Sequence, residues 1–365
     1  MRPDRIHDHE RFAGIRSTSE ETGTFGTFGE ALSSVARAWE AACPLGIERG
    51  FHASRRAMRV VLVGQAAFAQ RVLQGLLASG HEVVAAYAPP EKGGKPDPLA
   101  AAAAEAGVPV RTPASYKTEE VAREFRELNA DLGVLAYVTK IIPPAVFEAP
   151  RLGTLCFHPS LLPRYRGGSA LAWQIIRGET RGGYTVFWTD AGIDTGPILL
   201  QEEVEIGPDD TAGSLYFDKI FEKGVAGTVR AVDMVAAGTA PRIPQDESQA
   251  SYDPLCTDEH AGVRWELPCK QVYDLIRGCD PQPGAHTRLR GETLRLYDAR
   301  RVGDDVRGAA PGTVLAVDER GIVVAAGQGD GAGAIAIGRV RGAGGKVKAA
   351  EFAAEAKLAA GERLG

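Results

Sequence analysis

Two titratable side chains occupy positions from which they could perform acid–base chemistry. His158 follows an apolar run in the segment CFHPSLLPRYRGG (156–168), and Asp194 lies in TDAGIDTGP (189–197), flanked by glycines. A histidine and a carboxylate on neighbouring loops can move a proton to and from a reacting group. Residue types alone favour a plainer interpretation, in which the histidine caps a buried strand and the aspartate forms a turn.

The elements that must position these residues alternate between strand and helix from Met58 onward. RVVLVG is a continuous apolar run, typical of a strand buried on both faces, and FAQRVLQGLLASG has helical spacing and ends on a glycine. EVVAAYA, VPVRTP, LGVLAYV and GTLCFHPS predict four more strands, with helices between them. The alternation predicts an α/β domain built on a Rossmann-like parallel sheet. His158 then follows a strand end, where open α/β sheets bind their ligands.

The pattern of predicted elements changes in the second half of the chain. GGYTVFWTDAGIDTGPILLQEEVEI predicts a hairpin, TAGSLYFDKIFEKGVAGTVRAVDMVAAG one long helix, and PRIPQDESQASYDP has the composition of a linker. The short, glycine-punctuated strands that follow indicate a small β-barrel of the OB type. We therefore predict a disordered extension over residues 1–57, a catalytic α/β domain over 58–260 and a barrel-like domain over 261–365.

The composition indicates which classes of protein and site the chain does not favour. The 365 residues carry a net charge of −5, which gives no global basic surface for a polyanion, although a local patch stays open. The five cysteines form no C-x-x-C pair, so neither a zinc site nor a disulfide framework is indicated. A reducing cytoplasm is the expected compartment. No apolar run approaches the roughly 20 residues of a membrane span.

The turn after the first strand does not favour a dinucleotide cofactor. VLVGQAAFAQ contains Gly64 as its one glycine, whereas the pattern G-x-G-x-x-G uses three. The second and third glycines let a pyrophosphate approach the helix N-terminus. Nicotinamide chemistry is therefore disfavoured.

The motifs resemble those of the folate-dependent formyltransferases. FHPSLLPRYRGGSALAWQIIRGE (157–179) and DAGIDTGPILLQEEVEI (190–206) carry the resemblance, supported by PDDTAGSLY, RIPQDESQASYDP and DLIRGCDPQPGAHT. They look most like the branch containing the N-terminal hydrolase domain of 10-formyltetrahydrofolate dehydrogenases, and also resemble methionyl-tRNA formyltransferases. The resemblance runs from Met58 almost to the C-terminus and leaves residues 1–57 outside.

The resemblance implies that His158 and Asp194 are the catalytic groups. Attack on a formyl group produces a tetrahedral oxyanion, which an imidazolium near Asp194 can stabilise. Most of the family has asparagine two residues before the histidine, where this chain has Cys156. A thiol is a weaker donor than an amide, so the departure agrees with the hydrolase branch. Cys156 lies within a strand, and because buried thiols are usually inert, a nucleophilic role is disfavoured.

The resemblance also places a folate site, with 10-formyltetrahydrofolate as formyl donor and no metal. Backbone from residues 134–143 and 189–194 is expected to read the pterin, while apolar side chains face its ring. Arg164 and Arg166 could meet the glutamate tail or an anionic acceptor, although surface arginines are common. The predicted substrate-binding residues are Leu135, Tyr137, Ile141, Ile142, Ser160, Leu161, Leu162, Pro163, Arg164 and Asp190.

The formyl acceptor stays open at this point. The first hypothesis is hydrolysis of 10-formyltetrahydrofolate or transfer to a small amine. The second is a methionyl-tRNA formyltransferase, for which 16 basic against 13 acidic residues from Ala261 onward give weak support. The third is a folate-binding sensor that keeps the pocket but has no activity.

Overall fold

A seven-stranded sheet forms the centre of the first domain. The computed structural model describes residues 57–303, 305–306 and 308–365, and the strand order in this sheet is β3-β2-β1-β4-β5-β6-β7. All but one residue of the predicted 1–57 extension lie outside the described residues. The strands are β1 Arg59–Gly64, β2 Glu82–Tyr87, β3 Val110–Arg111, β4 Leu132–Ala136, β5 Thr154–His158, β6 Arg181–Trp188 and β7 Ile198–Glu205.

Strand direction changes at β5. The strands from β3 to β5 are parallel, and β6 and β7 continue the sheet as an antiparallel hairpin. The predicted parallel α/β sheet is confirmed, and the predicted hairpin extends it at one edge. The loop between β6 and β7, which carries Asp194, starts beside Thr154 at the amino end of β5 and folds back toward His158 at the carboxyl end.

Helices cover both faces of this sheet. They are α1 Ala66–Ala78, α2 Pro98–Glu105, α3 Glu119–Glu127, α4 Pro144–Phe147, α5 Ala170–Ile176, α6 Ala212–Ser214 and α7 Phe221–Ala236. The single long helix expected after Thr211 is instead divided by a π-helical segment, Leu215–Ile220. Leu215 and Ile220 are both fully buried, so the wider turns keep both ends of this segment in the core.

Strand alternation divides the side chains of β5 between two cores. Phe157 packs on the face that α1 and α7 cover, with its ring centroid 4.3 Å from that of Phe68. Cys156 packs on the opposite face, beside the core that contains Val63 and Leu135. Since side chains two apart on a strand share a face, His158 follows Cys156 toward the second face.

The second domain is an antiparallel sheet with the order β10-β11-β12-β9-β8, and β13 pairs with β12. Residues 363 and 364 form bridges to Thr313 and Leu289, so the C-terminal segment links the two edges of the sheet in the manner of a barrel. Its elements are α8 Cys269–Gly278, β8 Ala285–Leu289, β9 Glu292–Gly303, β10 Val314–Asp318, β11 Gly321–Ala326, β12 Gly333–Arg341, β13 Lys346–Lys348 and α9 Ala349–Glu355.

The segment with linker composition is an ordered strap, defined here as residues 241–253. It forms an antiparallel bridge between Ile243 and Ile198, and a parallel bridge between Tyr252 and Arg166. Between them lies a short 3₁₀ turn, Glu247–Gln249. The strap therefore contacts both loops that carry the candidate catalytic residues.

Two features are absent from residues 57–303, 305–306 and 308–365, a membrane-spanning helix and a metal-ligand cluster. None of the helices in these ranges combines the length and apolarity required to cross a bilayer. Within the same residues, no three histidine, cysteine, aspartate or glutamate side chains gather as a metal ion would require.

Candidate active site

The loop after β5 wraps around His158 and fixes its ring. The Nε2 atom of His158 lies 2.7 Å from the carbonyl oxygen of Tyr165, and the side chain is buried. A carbonyl can only accept, so Nε2 carries a hydrogen and donates. Tyr165 turns its carbonyl inward from a left-handed backbone conformation, with φ of 61°. The other ring nitrogen, Nδ1, is left to act on the proton of a reacting group.

Asp194 meets His158 at that nitrogen. Its Oδ2 atom lies 3.5 Å from Nδ1 of His158 and accepts a hydrogen bond of 2.7 Å from the backbone N–H of Gly167. The backbone of Asp194 has φ of 56°, a left-handed conformation that costs a non-glycine residue on the order of 1–2 kcal/mol. The carboxylate is thus held toward the histidine by a specific, strained loop.

The pair can perform acid–base chemistry. When Nδ1 is protonated, the ring is an imidazolium that faces a carboxylate, and it can donate to an oxyanion. When Nδ1 is unprotonated, the same atom can accept a proton. The structure therefore brings together the two residues that the sequence singled out, and Asp194 does more than form a turn.

Cys156 occupies the strand position next to this pair. It lies opposite Leu135 of β4 and Phe187 of β6, and its Sγ atom lies 3.6 Å from the carbonyl oxygen of Phe157. Burial, and then the charge of Asp194, raise the pKa of this thiol well above its ordinary value. The protonated thiol is a weak donor and a poor nucleophile.

The segment from the end of β4 onward borders a cleft, although the predicted pterin-binding residues Leu135, Tyr137, Ile141 and Ile142 do not line it. Leu135 and Ile142 are buried in the second core, whereas the side chain of Ile141 is two-thirds exposed, at 67%. Tyr137 has a left-handed backbone, with φ of 60°, and its ring stacks 6.3 Å from that of Tyr216. The cleft lies at the carboxyl ends of β1 and β4 and is open to solvent. It is lined by Val63, Gly64, Gln65, Ala88, Pro89, Pro113, Tyr116, Val138, Thr139 and Lys140.

The motif residues after His158 mainly shape the loop. Ser160 Oγ donates to the carbonyl of Arg164 at 2.7 Å, and the N–H of Leu162 donates to Thr185 Oγ1 at 3.1 Å. Pro163 accepts from the backbone N–H of Ser251 at 3.1 Å. The side chain of Leu161 is partly exposed. These contacts hold the loop in place around the imidazole, and direct contact of these residues with folate stays a prediction.

The charged residues of the two loops already have protein partners. Arg164 pairs with Glu179 and remains half exposed. Arg166 is buried and pairs with Glu247 of the strap, so an anionic substrate is not its counter-ion in this arrangement. Asp190 accepts from Thr195 Oγ1 at 2.6 Å and from the N–H of Gly192 at 3.0 Å, which closes the loop before Asp194.

The sequence pattern did not reveal the contribution of the strap. Gln245 donates its amide to the carbonyl of Asp194 at 2.9 Å, although PRIPQDESQASYDP has the polar composition of a linker. One available signal was Arg166, which directly precedes two glycines in the motif, because an arginine that is buried there requires a partner. The position of that partner depends on the return of the chain from α7.

Comparison with known proteins finds relatives for both domains. The formyl transferase profile matches residues 58–232, and the profile of the formyl transferase C-terminal domain matches residues 256–357. Methionyl-tRNA formyltransferase of Moorella thermoacetica is 38% identical over 278 residues, which cover 74% of this chain and 89% of that protein. Cytosolic 10-formyltetrahydrofolate dehydrogenase of Mus musculus is 42% identical over 247 residues, 66% of this chain and 27% of that protein. The chain thus spans less than a third of the dehydrogenases it matches.

Solved structures share the fold. HypX from Aquifex aeolicus in complex with tetrahydrofolic acid has a TM-score of 0.60 and 23% identity, covering 82% of this chain and 47% of that one. An N-formyltransferase from Helicobacter canadensis has a TM-score of 0.58 and 18% identity, covering 77% and 99%. At these identities the similarity describes the fold alone.

Proposed function

Because this chain belongs to the formyl transferase family, we propose that it cleaves the formyl group from 10-formyltetrahydrofolate, with water as acceptor. The observation that carries the proposal is the contact between Nδ1 of His158 and Oδ2 of Asp194 at the carboxyl end of β5. A buried histidine with one nitrogen fixed and the other facing a carboxylate is suited to stabilise an oxyanion and to move a proton.

In the proposed reaction, the oxygen of a water molecule attacks the formyl carbon while Asp194 takes one of its protons. The former carbonyl oxygen becomes an oxyanion, which the imidazolium of His158 stabilises. The bond between the formyl carbon and N10 then breaks, its electron pair goes to N10, and N10 takes up the proton held by Asp194. The products are tetrahydrofolate and formic acid, which releases its remaining proton to solvent as formate, so atoms and charge balance without a redox partner.

Two observations favour water over a phosphate-bearing amine. The thiol of Cys156 replaces an amide donor, as the resemblance to the hydrolase branch implies, and several dehydrogenases are about 40% identical to this chain. The N-terminus of α1 directly follows the cleft residue Gln65, and a protein carboxylate already occupies it. The N–H of Ala66 donates to both oxygens of Asp97, at 3.0 and 2.9 Å. A helix N-terminus that already holds a carboxylate disfavours a second anion.

A transferase that formylates methionyl-tRNA is the second candidate, and one surface of the C-terminal domain favours it. The β12–β13 hairpin places Arg339 opposite Lys348 and Arg341 opposite Lys346. Four basic side chains on one hairpin can neutralise nucleic-acid phosphates. The 89% coverage of the Moorella thermoacetica enzyme supports the same alternative.

One assay separates these functions. The purified chain is incubated with 10-formyltetrahydrofolate alone, with small amines, or with charged initiator tRNA, and the release of tetrahydrofolate and formate is followed. Release of both without an added acceptor supports hydrolysis, whereas release that requires the tRNA supports the second candidate. Folate binding without release under any condition would indicate a sensor and overturn the proposed activity. A His158→Ala variant controls for spontaneous deformylation.

A further inference from the structure

The strap clamps the two catalytic loops together. The N–H of Arg166 donates to the carbonyl of Ser251 at 2.9 Å, and the N–H of Asp253 returns to the carbonyl of Arg166 at 3.0 Å. The N–H of Tyr165 donates to Ser251 Oγ at 2.8 Å. Tyr165 is the residue whose carbonyl fixes His158, so the strap acts directly on the backbone that orients the imidazole.

Gln245 joins this clamp to Asp194. Its amide nitrogen donates to the carbonyl oxygens of Asp194 and Gly196, at 2.9 and 2.7 Å. Its amide oxygen accepts from Nε and Nη2 of Arg166, at 3.1 and 2.8 Å. Two carbonyls require a donor and a guanidinium requires an acceptor, so only one orientation of the amide satisfies all its partners.

Arg166 is in turn fixed on its other side. Its Nη1 and Nη2 atoms form a bidentate pair with Glu247, at 2.9 and 2.7 Å. The next residue along the chain, Gly167, donates the hydrogen bond that holds Oδ2 of Asp194. One connected set of contacts therefore fixes both the backbone of Asp194 and the donor to its carboxylate.

The left-handed backbone of Asp194 depends on these hydrogen bonds. A non-glycine residue keeps such a conformation where its surroundings enforce it. Without the two hydrogen bonds from Gln245, the loop can relax toward negative φ and carry the carboxylate away from Nδ1 of His158. A misplacement of about 1 Å at a reacting group can cost roughly a hundredfold in rate.

We propose that Gln245 is a positioning residue. It holds the carboxylate of Asp194 toward Nδ1 of His158, through its own amide and through Arg166. The inference rests on the proposed function, because the rate it predicts is that of formyl release. Gln245 acts through Asp194 and does not touch the reacting atoms.

The test replaces Gln245 by Glu in the full chain. Gln245→Glu has the same size and keeps an acceptor for Arg166, but it removes both donors and places a carboxylate against two carbonyls. We expect kcat for formyl release to fall by about ten- to a hundredfold, while KM and the affinity for tetrahydrofolate stay within about threefold. Gln249→Glu is the matched control, because Gln249 is an exposed residue of the same strap. It should keep wild-type kinetics.

Two further measurements separate positioning from folding. Gln245→Met lacks both donors and the acceptor for Arg166 without adding charge. It should show a loss in kcat at least as large while the protein stays folded, as a cooperative thermal transition reports. In an Asp194→Asn background, Gln245→Glu should cause little further loss, because residues that act as one unit are not additive. An additional loss as large as in the wild-type background would overturn the inference.

The failures of the two proposals are distinguishable. Wild-type kcat in Gln245→Glu, or a loss of kcat matched by equal losses in folate affinity and Tm, would overturn the positioning role and leave the proposed function standing. A wild-type protein that releases no tetrahydrofolate would overturn the proposed function, and the positioning role with it.

Discussion

Nδ1 of His158 lies 3.5 Å from Oδ2 of Asp194, although His158 ends β5 and Asp194 lies in the loop between β6 and β7. The β5–β6 pairing alone does not produce this proximity, because Trp188 at the end of β6 lies opposite Leu155 near the start of β5. The loop after β6 folds back, and hydrogen bonds from Gly167 and Gln245 hold Asp194 near His158. The hydrogen bond between Nε2 and the carbonyl of Tyr165 fixes which ring nitrogen faces the carboxylate.

Replacing Asp194 by Asn should abolish most turnover while sparing folate binding. The amide keeps the size of the side chain but cannot take a proton from the nucleophile, so kcat should fall by about a hundredfold or more. The affinity for tetrahydrofolate should stay within about tenfold, which corresponds to about 1.4 kcal/mol. Steady-state kinetics and calorimetric titration measure the two quantities.

Asp218→Asn provides the matched control for that substitution. Asp218 is an exposed aspartate of the π-helical segment, and its replacement should change neither quantity. Near wild-type turnover in Asp194→Asn would remove the acid–base assignment.

The sequence predicted much of the site because local patterns carried the information. His158 ends an apolar strand, and a strand end in an α/β sheet indicates a ligand edge. Asp194 could be singled out by the glycines around it and by the resemblance. The partner of Arg166 could not be predicted, because the contact with Glu247 joins segments that are distant in the chain.

The π-helical interruption of the long helix also could not be predicted from the local spacing of apolar residues. Residues 211–236 have helical spacing throughout, and the π-helical turns from Leu215 to Ile220 depend on how that segment packs. Tyr216 stacks on Tyr137 and meets the ring of Phe221 edge-on, at 6.3 and 5.7 Å. Such contacts between elements are not visible in the spacing of apolar residues.

Cys156→Ala should retain turnover within about an order of magnitude of wild type. The partly buried thiol has a raised pKa, so it stays protonated and donates weakly, and its removal withdraws little stabilisation from the oxyanion. Intact-protein mass spectrometry during turnover should show no adduct of about 28 Da, the mass of a formyl group that replaces hydrogen on a thiol. A thousandfold loss of activity, or that adduct, would assign the chemistry to the cysteine.

Cys156→Asn tests stabilisation of the oxyanion by adding a stronger hydrogen-bond donor at this position. Asparagine supplies the neutral amide donor that most of the family is inferred to use, so turnover should be preserved or increased. An amide without a partner at this partly buried position would cost about 1–3 kcal/mol of folding stability. Rates and Tm measured together separate the two effects, and a stable but inactive variant would contradict an oxyanion at this position.

Gly227→Ala should destabilise the first domain. A Cβ atom at Gly227 would overlap the ring of Tyr184, which is buried between α7 and β6. The overlap should cost about 1–3 kcal/mol, more than the 0.5–1 kcal/mol that alanine contributes to helix stability. Gly344→Ala is the control, because nothing lies within 4 Å of its added Cβ. Equal urea midpoints for the two variants would contradict this close helix–sheet contact.

Asp210 should make part of the folding stability depend on acid pH. Burial raises the pKa of its carboxyl, but hydrogen bonds from Lys219, Gly207 and Ser214 outweigh burial and hold the pKa below the ordinary 3.8. A lowered pKa in the folded state means that the stabilisation is present above pH 3.8 and is lost as the pH falls through the folded-state value. Asp210→Asn should therefore lower the free energy of unfolding by about 1 kcal/mol at pH 7, and by less at pH 3. Urea unfolding at both pH values, with Asp218→Asn as the exposed control, measures this difference, and a deficit that grows toward pH 3 would reverse the assigned sign.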